Sequence, residues 1–90
     1  MLQVIWTPRF KRDYKLAMKR GKQMQRLDNV ILKLAAGELL EEKYRDHALT
    51  GEWKDFRECH IAPDWLLIYA IRDDVLTLTL VRTGSHSDLF

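Results

Sequence analysis

Hydrophobic residues in the N-terminal part of the chain are spaced as in a short strand followed by two helices. Residues 2–6 predict the strand, and Thr7-Pro8 predicts a helix start, because Thr caps helices and Pro fits the first helical position. This helix is expected to end at Gly21 and a second one, over 22–36, at Gly37. Their buried faces are expected to hold Phe10, Tyr14, Ala17 and Met18 in the first helix, and Met24, Leu27, Ile31 and Leu34 in the second.

The C-terminal part is patterned as three strands, after a polar stretch at 38–52. Residues 53–60 form one candidate strand, and the apolar run 65–71 predicts a strand covered on both faces. A turn at Asp73-Asp74 leads to the last strand, 75–82. Its apolar face is expected to hold alternate leucines: Leu76, Leu78 and Leu80. Strict alternation would add Arg82 to that face, so we expect the strand to end or bulge there.

This order of elements predicts an α+β domain. We expect an N-terminal strand, a two-helix hairpin and a three-stranded antiparallel meander, with the helices on one face of the sheet and the other face open. Ninety residues accommodate one domain, spanning residues 1–90.

Composition narrows the class of protein. The apolar fraction of 47% is sufficient for a core and argues against disorder. Cys59 is the only cysteine, which excludes an internal disulfide and is typical of a small buried residue. The N-terminus does not resemble a signal peptide, and no apolar run approaches the ~20 residues of a membrane span. We therefore expect a cytoplasmic protein with no membrane partner.

Charge is distributed unevenly along the chain. Residues 1–33 contain nine Lys and Arg against two acids, a net of +7, whereas residues 34–90 contain six against eleven, a net of −5. Four lysines follow the first helix at helical spacing: Lys11, Lys15, Lys19 and Lys22. Two interpretations of this basic stripe carry equal weight. It contacts phosphates or an acidic partner, or it is an ordinary solvated face.

The side chains suited to chemistry concentrate near the C-terminus. His60, Asp64 and Trp65 flank the turn between two strands, and Arg82 and His86 follow the next strand. In a meander the end of the last strand returns to the end that holds that turn, so we expect these groups to lie together. Histidine transfers protons near neutral pH, and arginine binds phosphate. With the exposed aromatic ring of Phe90, this combination indicates cleavage of an RNA phosphodiester without a metal.

Two other chemistries fit the sequence less well. Three histidines with Asp64 have the composition of a zinc site, but the spacings between His47, His60 and His86 match no compact ligand motif. Ser85 and Ser87 lie near His86, but neither belongs to a nucleophile elbow. We expect neither a metal nor another cofactor.

Three segments together resemble the YafQ branch of the RelE/ParE superfamily, the toxins of bacterial type II toxin–antitoxin pairs. They are Tyr44-Arg45-Asp46-His47-Ala48-Leu49-Thr50-Gly51-x-Trp53, the run 57–69 containing His60-Ile61-x-Pro63-Asp64-Trp65, and the C-terminal Arg82-Thr83-Gly84-Ser85-His86-Ser87-Asp88-Leu89-Phe90. The resemblance covers nearly the whole chain and implies a RelE-like fold.

The resemblance also implies an endoribonuclease (mRNA interferase) that cuts mRNA in the A site of the 30S ribosomal subunit. His86 would act as general acid or base, and Arg82 would hold the scissile phosphate. His60, Asp64 and His47 would support proton transfer and position the RNA, and the rings of Trp65 and Phe90 would shape the site and pack against bases. The four lysines of the basic stripe would then contact ribosomal RNA. Which histidine is the acid and which the base is left open.

The partners implied are a cognate antitoxin, the ribosome and mRNA, with a toxin–antitoxin complex that binds operator DNA through the antitoxin. Two alternatives remain. One is a ParE-like toxin that binds DNA gyrase without catalysis, and the other is a simple RNA-binding domain. Neither has an evident need for Arg82, His60 and His86 at one end of the sheet.

Overall fold

The computed structural model describes residues 1–90 and contains a five-stranded sheet with three α-helices. The elements in chain order are β1 (Gln3–Trp6), α1 (Pro8–Lys19), α2 (Met24–Ala35), β2 (His47–Ala48), β3 (Arg57–Ala62), β4 (Trp65–Arg72), β5 (Thr77–Gly84) and α3 (His86–Leu89). The strand order is β1-β5-β4-β3-β2, with β1 parallel to β5 and the other pairs antiparallel. The predicted α+β order and the meander β3-β4-β5 are confirmed.

Both long helices end just before the predicted glycines, and α1 begins after its predicted cap, whereas α2 begins at Met24 rather than at residue 22 and has no side-chain cap. Thr7 caps α1 by accepting a hydrogen bond from the backbone N–H of Phe10 at 3.2 Å. Gly21 and Gly37 adopt φ of +76° and +78°, the left-handed conformation that stops a helix and favours glycine. No helix has the length and apolar character needed to cross a membrane.

The main core lies between the helical hairpin and one face of the sheet. It contains 14 buried residues, contributed by α1, α2 and the strands β3, β4 and β5. Phe10, Leu27 and Tyr69 are among its largest members and are at most 1% exposed. Cys59 is buried in the same cluster, and burial raises the pKa of its thiol. Met18, by contrast, is 55% exposed, so its predicted place on the buried face of α1 was wrong.

The opposite face of the sheet is covered in part, so the expectation of an open face was wrong. Leu66 and Ile68 of β4 and Leu89 of α3 form a second buried cluster there. Four partly buried residues pack against it: Leu49, Trp53, Phe56 and Val81. Because α3 and the segment before β3 fold over this face, the near-continuous apolar run of β4 is buried on both sides.

Two strands begin and end two to four residues later than predicted, at Arg57–Ala62 and Thr77–Gly84. The strand predicted over 53–60 starts at Arg57, because Trp53 lies in a 3₁₀ turn, Gly51–Trp53. The strand predicted over 75–82 starts at Thr77, because Leu76 turns at φ +52° and is 61% exposed. The irregularity expected near Arg82 is present.

A β-bulge separates Leu80 from Arg82. Tyr69 is opposite Leu80, but its neighbour Ile68 is opposite Arg82, so Val81 is the extra residue of β5. The bulge breaks the leucine alternation before the strand reaches the site.

Candidate active site

Three imidazoles lie in a row at one end of the sheet. The ring centroids of His60 and His86 are 5.9 Å apart, and those of His47 and His60 are 6.5 Å apart. The pairing of the strands produces this proximity, because Leu66 lies opposite both His60 of β3 and Gly84 of β5. The end of β5 therefore meets the β3–β4 turn, as the meander predicts. No group of three or more His, Cys, Asp or Glu side chains is arranged to hold a metal ion.

Asp64 orients His86 by two hydrogen bonds. Its Oδ1 accepts the backbone N–H of His86 at 3.0 Å and lies 2.9 Å from the ring Nδ1. These bonds, with the nearby charge of Lys22, hold the pKa of the Asp64 carboxyl below its ordinary value. An ionised carboxylate only accepts hydrogen bonds, so Nδ1 carries the proton and Nε2 is the end free for proton transfer.

His86 is the first residue of α3, and a reciprocal capping pair fixes that helix. The Ser85 hydroxyl accepts the backbone N–H of Asp88 at 3.1 Å, and the Asp88 carboxylate accepts the backbone N–H of Ser85 at 2.9 Å. The Ser85 backbone and Arg20, 2.8 Å away, lower the pKa of Asp88 to about 2. Gly84 permits this close approach, since a Cβ at that position would be 2.9 Å from the Asp88 Cβ.

Glu58 is a buried carboxylate between two of the imidazoles, and sequence reasoning missed it. It is 5% exposed, and its two carboxylate oxygens lie 3.8 Å from Nε2 of His47 and of His60. His47 also lies 2.8 Å, through Nδ1, from the carbonyl oxygen of Arg45, which requires the proton on Nδ1. The sequence signal was the alternation of β3, which places residues 58 and 60 on one face.

Asp46 anchors the segment that carries His47. Its carboxylate accepts hydrogen bonds from the hydroxyl of Tyr69 and, at 3.2 Å, from the guanidinium of Arg57. Burial and the Asp46 carboxylate raise the pKa of Tyr69. The acid before His47 therefore has a structural role that its position in the sequence did not reveal.

Arg82 is held by an acid of α1. Its Nε and Nη2 donate to the two carboxylate oxygens of Asp13 at 2.7 and 3.3 Å, and the backbone N–H of Thr83 donates to Asp13 at 3.1 Å. Arg82 lines a groove of about 310 Å³ that extends from α1 to Ser85, the residue before His86. The sequence signal for Asp13 was its isolation, since it is the only acid in α1.

The two predicted aromatic residues differ in exposure. Trp65 is 3% exposed, and its Nε1–H donates to the Thr83 hydroxyl at 3.0 Å. Trp65 thus lines the Arg82 groove from within the core, and its packing against a base stays a prediction. Phe90 is 59% exposed and packs edge-on against Trp53 at 6.1 Å, which leaves ring surface free.

The basic stripe is shorter than predicted. Lys11, Lys15 and Lys19 are exposed on α1 and form no ion pair within the chain. Lys22 lies beyond the end of the helix at Lys19, and its Nζ is 5.8 Å from the ring centroid of Trp65. The turn at Gly21 thus moves Lys22 from the stripe to the groove that holds Arg82.

Known proteins share this fold over its full length. A metal-bound toxin from Helicobacter pylori superimposes with a TM-score of 0.94 at 47% identity, covering 100% of both chains. YafQ in the Escherichia coli DinJ–YafQ complex superimposes with a TM-score of 0.92 at 37% identity, covering 100% of this chain and 99% of that one. The fold is that of a bacterial toxin.

Sequence comparison specifies the family. The mRNA interferase toxin YafQ of Escherichia coli K12 is 41% identical over 86 residues, which are 94% of this chain and 91% of that protein. The sequence model of YafQ, described as a bacterial toxin of a type II toxin–antitoxin system, matches residues 2–90. This chain belongs to the YafQ family of type II toxin–antitoxin toxins, as the three sequence segments indicated.

Proposed function

We propose that this toxin is a cytoplasmic mRNA interferase, a ribosome-dependent endoribonuclease whose acid–base groups are imidazoles. The row of His47, His60 and His86, with the last ring fixed by Asp64, carries the proposal. The name mRNA interferase, borne by the E. coli relative, supports the same activity.

In the proposed reaction the ribose 2′-oxygen attacks the adjacent phosphorus, and the bond to the 5′-oxygen of the next nucleotide breaks. One imidazole accepts the 2′-hydroxyl proton and a second donates a proton to the leaving oxygen. We assign these steps to the adjacent rings of His86 and His60, with the direction of transfer open. The products are a 2′,3′-cyclic phosphate and a 5′-hydroxyl, and no step requires a metal. Such positioned groups typically contribute ~10²–10⁴-fold in rate.

Arg82 supplies charge for the phosphate. Asp13 uses Nε–H and one N–H of Nη2, which leaves both hydrogens of Nη1 and one of Nη2. These remaining donors suit two phosphate oxygens, whose negative charge increases as the 2′-oxygen bonds to phosphorus. Asp13 thus fixes the guanidinium from one edge while phosphate approaches another.

Binding partners follow from the family and from charge. The E. coli relative forms a complex with DinJ, and we propose a cognate antitoxin for this chain, through which the complex binds operator DNA. The unpaired lysines of α1 are proposed to contact ribosomal RNA of the 30S A site.

Cleavage of mRNA on programmed ribosomes tests the function. Wild type is compared with His86→Ala and with the control Ser87→Ala, which changes the adjacent exposed residue. We expect cutting that requires ribosomes, a loss of at least ~10²-fold in His86→Ala, and no loss in the control. Product ends should be 2′,3′-cyclic phosphate and 5′-hydroxyl. Ends bearing a 5′-phosphate would contradict the mechanism, and growth arrest with intact mRNA would favour gyrase binding.

A further inference from the structure

A second groove opens on the other side of His60. Its volume is about 390 Å³, within the range of small-molecule sites. It lies between α2, the 3₁₀ turn Glu42–Tyr44 and an edge of β3. Because β2 pairs only with Arg57 and Glu58, this edge has no strand partner beyond Glu58. The groove therefore combines a free strand edge with one of the imidazoles of the site.

The charges of this groove are all positive and unpaired. Arg26, Lys43 and Arg45 line it, no carboxylate lines it, and none of the three forms an ion pair. Nη2 of Arg26 donates to the carbonyl oxygen of Ile61 at 2.9 Å, which fixes that guanidinium in the wall. The groove beside Arg82 differs, since it contains Asp13 and Asp88. Unpaired cations in one concave surface attract a polyanion.

Two other groups in the groove suit a nucleoside. The Asn29 side-chain oxygen accepts a hydrogen bond from Gln25 at 2.8 Å, and its two side-chain N–H donors form no hydrogen bond within the chain. Tyr44 contributes a half-buried ring, with the ammonium group of Lys43 5.2 Å from its centroid. An amide donor pair reads base edges, and an aromatic ring packs against a base or ribose.

We propose that this groove binds the nucleotide that flanks the scissile phosphate in the RNA substrate. Arg26, Lys43 and Arg45 contact its phosphate, and Asn29 contacts the edge of its base. Because His60 belongs both to this groove and to the imidazole row, RNA bound here extends directly to the reacting phosphate. The inference rests on the proposed ribonuclease function and deepens it by locating a substrate-binding site.

Binding of a non-cleavable RNA tests the groove separately from catalysis. The probe is a 2′-O-methyl RNA hexamer, in which the 2′-oxygen cannot attack. The variant Lys43→Gln/Arg45→Gln removes two groove cations, and the control Arg9→Gln/Arg12→Gln removes two exposed cations elsewhere. Arg9 and Arg12 are suitable controls because neither lines the groove and neither forms an ion pair.

We expect the groove variant to bind the hexamer about tenfold more weakly at 0.1 M salt, with the slope of log Kd against log salt reduced by about 1. The control should retain the wild-type slope. In wild type the amide NMR signals of Asn29, Arg45 and Ile61 should shift on adding the hexamer. Equal weakening in both double variants would overturn the proposal, as would the absence of these NMR shifts when the hexamer is added.

The ribosome assay separates this inference from the function itself. If the groove variant binds the hexamer and cleaves mRNA on ribosomes as well as wild type does, the proposed binding site is refuted and the nuclease function is not. If the groove variant alone loses hexamer binding but wild type does not cleave mRNA on ribosomes, the nuclease function is refuted and the RNA-binding site is supported.

Discussion

Arg82 and Asp13 form a two-point ion pair that joins the end of β5 to α1, with Nε–Oδ2 and Nη2–Oδ1 distances of 2.7 and 3.3 Å. Both side chains are mostly buried, at 15% and 13% exposure. The cation proposed to hold phosphate is therefore oriented before RNA arrives. Pre-orientation of this kind lowers the reorganisation needed in the transition state.

Asp13→Asn should weaken both cleavage and stability. We expect about a tenfold loss of cleavage, because the neutral amide holds the Arg82 guanidinium less firmly. Unfolding in urea should show about 2 kcal/mol of lost stability, from a charged hydrogen-bond pair broken in a mostly buried place. Asp73→Asn, at an exposed turn acid without an ion pair, is the matched control. If Asp13→Asn matches that control in both measurements, Asp13 does not position Arg82.

Asp64→Asn should reduce cleavage by about 10–100-fold while leaving the fold unchanged. The amide oxygen can still accept hydrogen bonds from His86, but the negative charge that stabilises the protonated ring is lost. Single-turnover cleavage on programmed ribosomes measures the effect, and the melting temperature serves as the check on folding. Equal rates for Asp64→Asn and wild type would show that hydrogen bonding alone suffices.

Substitutions of Trp65 and Phe90 should have different effects on stability and on cleavage. Trp65→Ala should cost ~3–5 kcal/mol of stability, because it leaves a cavity in the core and removes the hydrogen bond that the Thr83 hydroxyl accepts, although that hydroxyl still donates to the carbonyl oxygen of Leu66. Phe90→Ala should cost under ~0.5 kcal/mol, since the ring is 59% exposed, yet lower cleavage if the ring packs against RNA. Urea unfolding and ribosome cleavage distinguish the two. A large stability loss in Phe90→Ala would contradict its assignment to substrate contact.

The cap of α3 should resist acid. The pKa of Asp88 is about 2, below its ordinary value of 3.8, so its contribution to stability is complete above pH 3.8 and is lost as the pH falls through about 2. The amide NMR signal of Ser85, which donates to Asp88, should therefore titrate with a midpoint near 2. Asp88→Asn should abolish this titration. A midpoint near 3.8 in wild type would mean that the cap and Arg20 do not stabilise the carboxylate.

Reversing the charge of Lys11 and Lys15 to Glu should weaken ribosome binding and its dependence on salt. Each lost phosphate contact reduces the salt slope by up to about 1. The control is Lys54→Glu, which reverses the charge of an exposed lysine that lies outside the stripe and forms no ion pair. Unchanged ribosome affinity in Lys11→Glu/Lys15→Glu would leave the stripe as a solvated face.

Much of the fold was predictable from local signals. Thr7 marks the start of the first helix, and Gly21 and Gly37 mark the ends of the two long helices. Each acts locally, because a cap satisfies backbone N–H groups within a few residues and a left-handed glycine ends the helix. Boundaries failed where local conformation overrode the pattern of side chains, as at Leu76, whose positive φ keeps it out of β5. The covering of the second sheet face also escaped prediction, because α3 has only four residues and too few positions to show a helical period.

The sequence by itself determined which chemical groups this toxin carries and, through the meander, that His60, Asp64 and His86 meet at one end of the sheet. The tertiary structure alone decided which groups support them. Asp13 reaches Arg82 across 69 positions of sequence, and Glu58 becomes a buried neighbour of two imidazoles only when β2 pairs with β3. The burial of Trp65 likewise depends on the tertiary structure. Contacts of this kind depend on how helices and strands pack, which a local pattern of hydrophobic and polar residues does not encode.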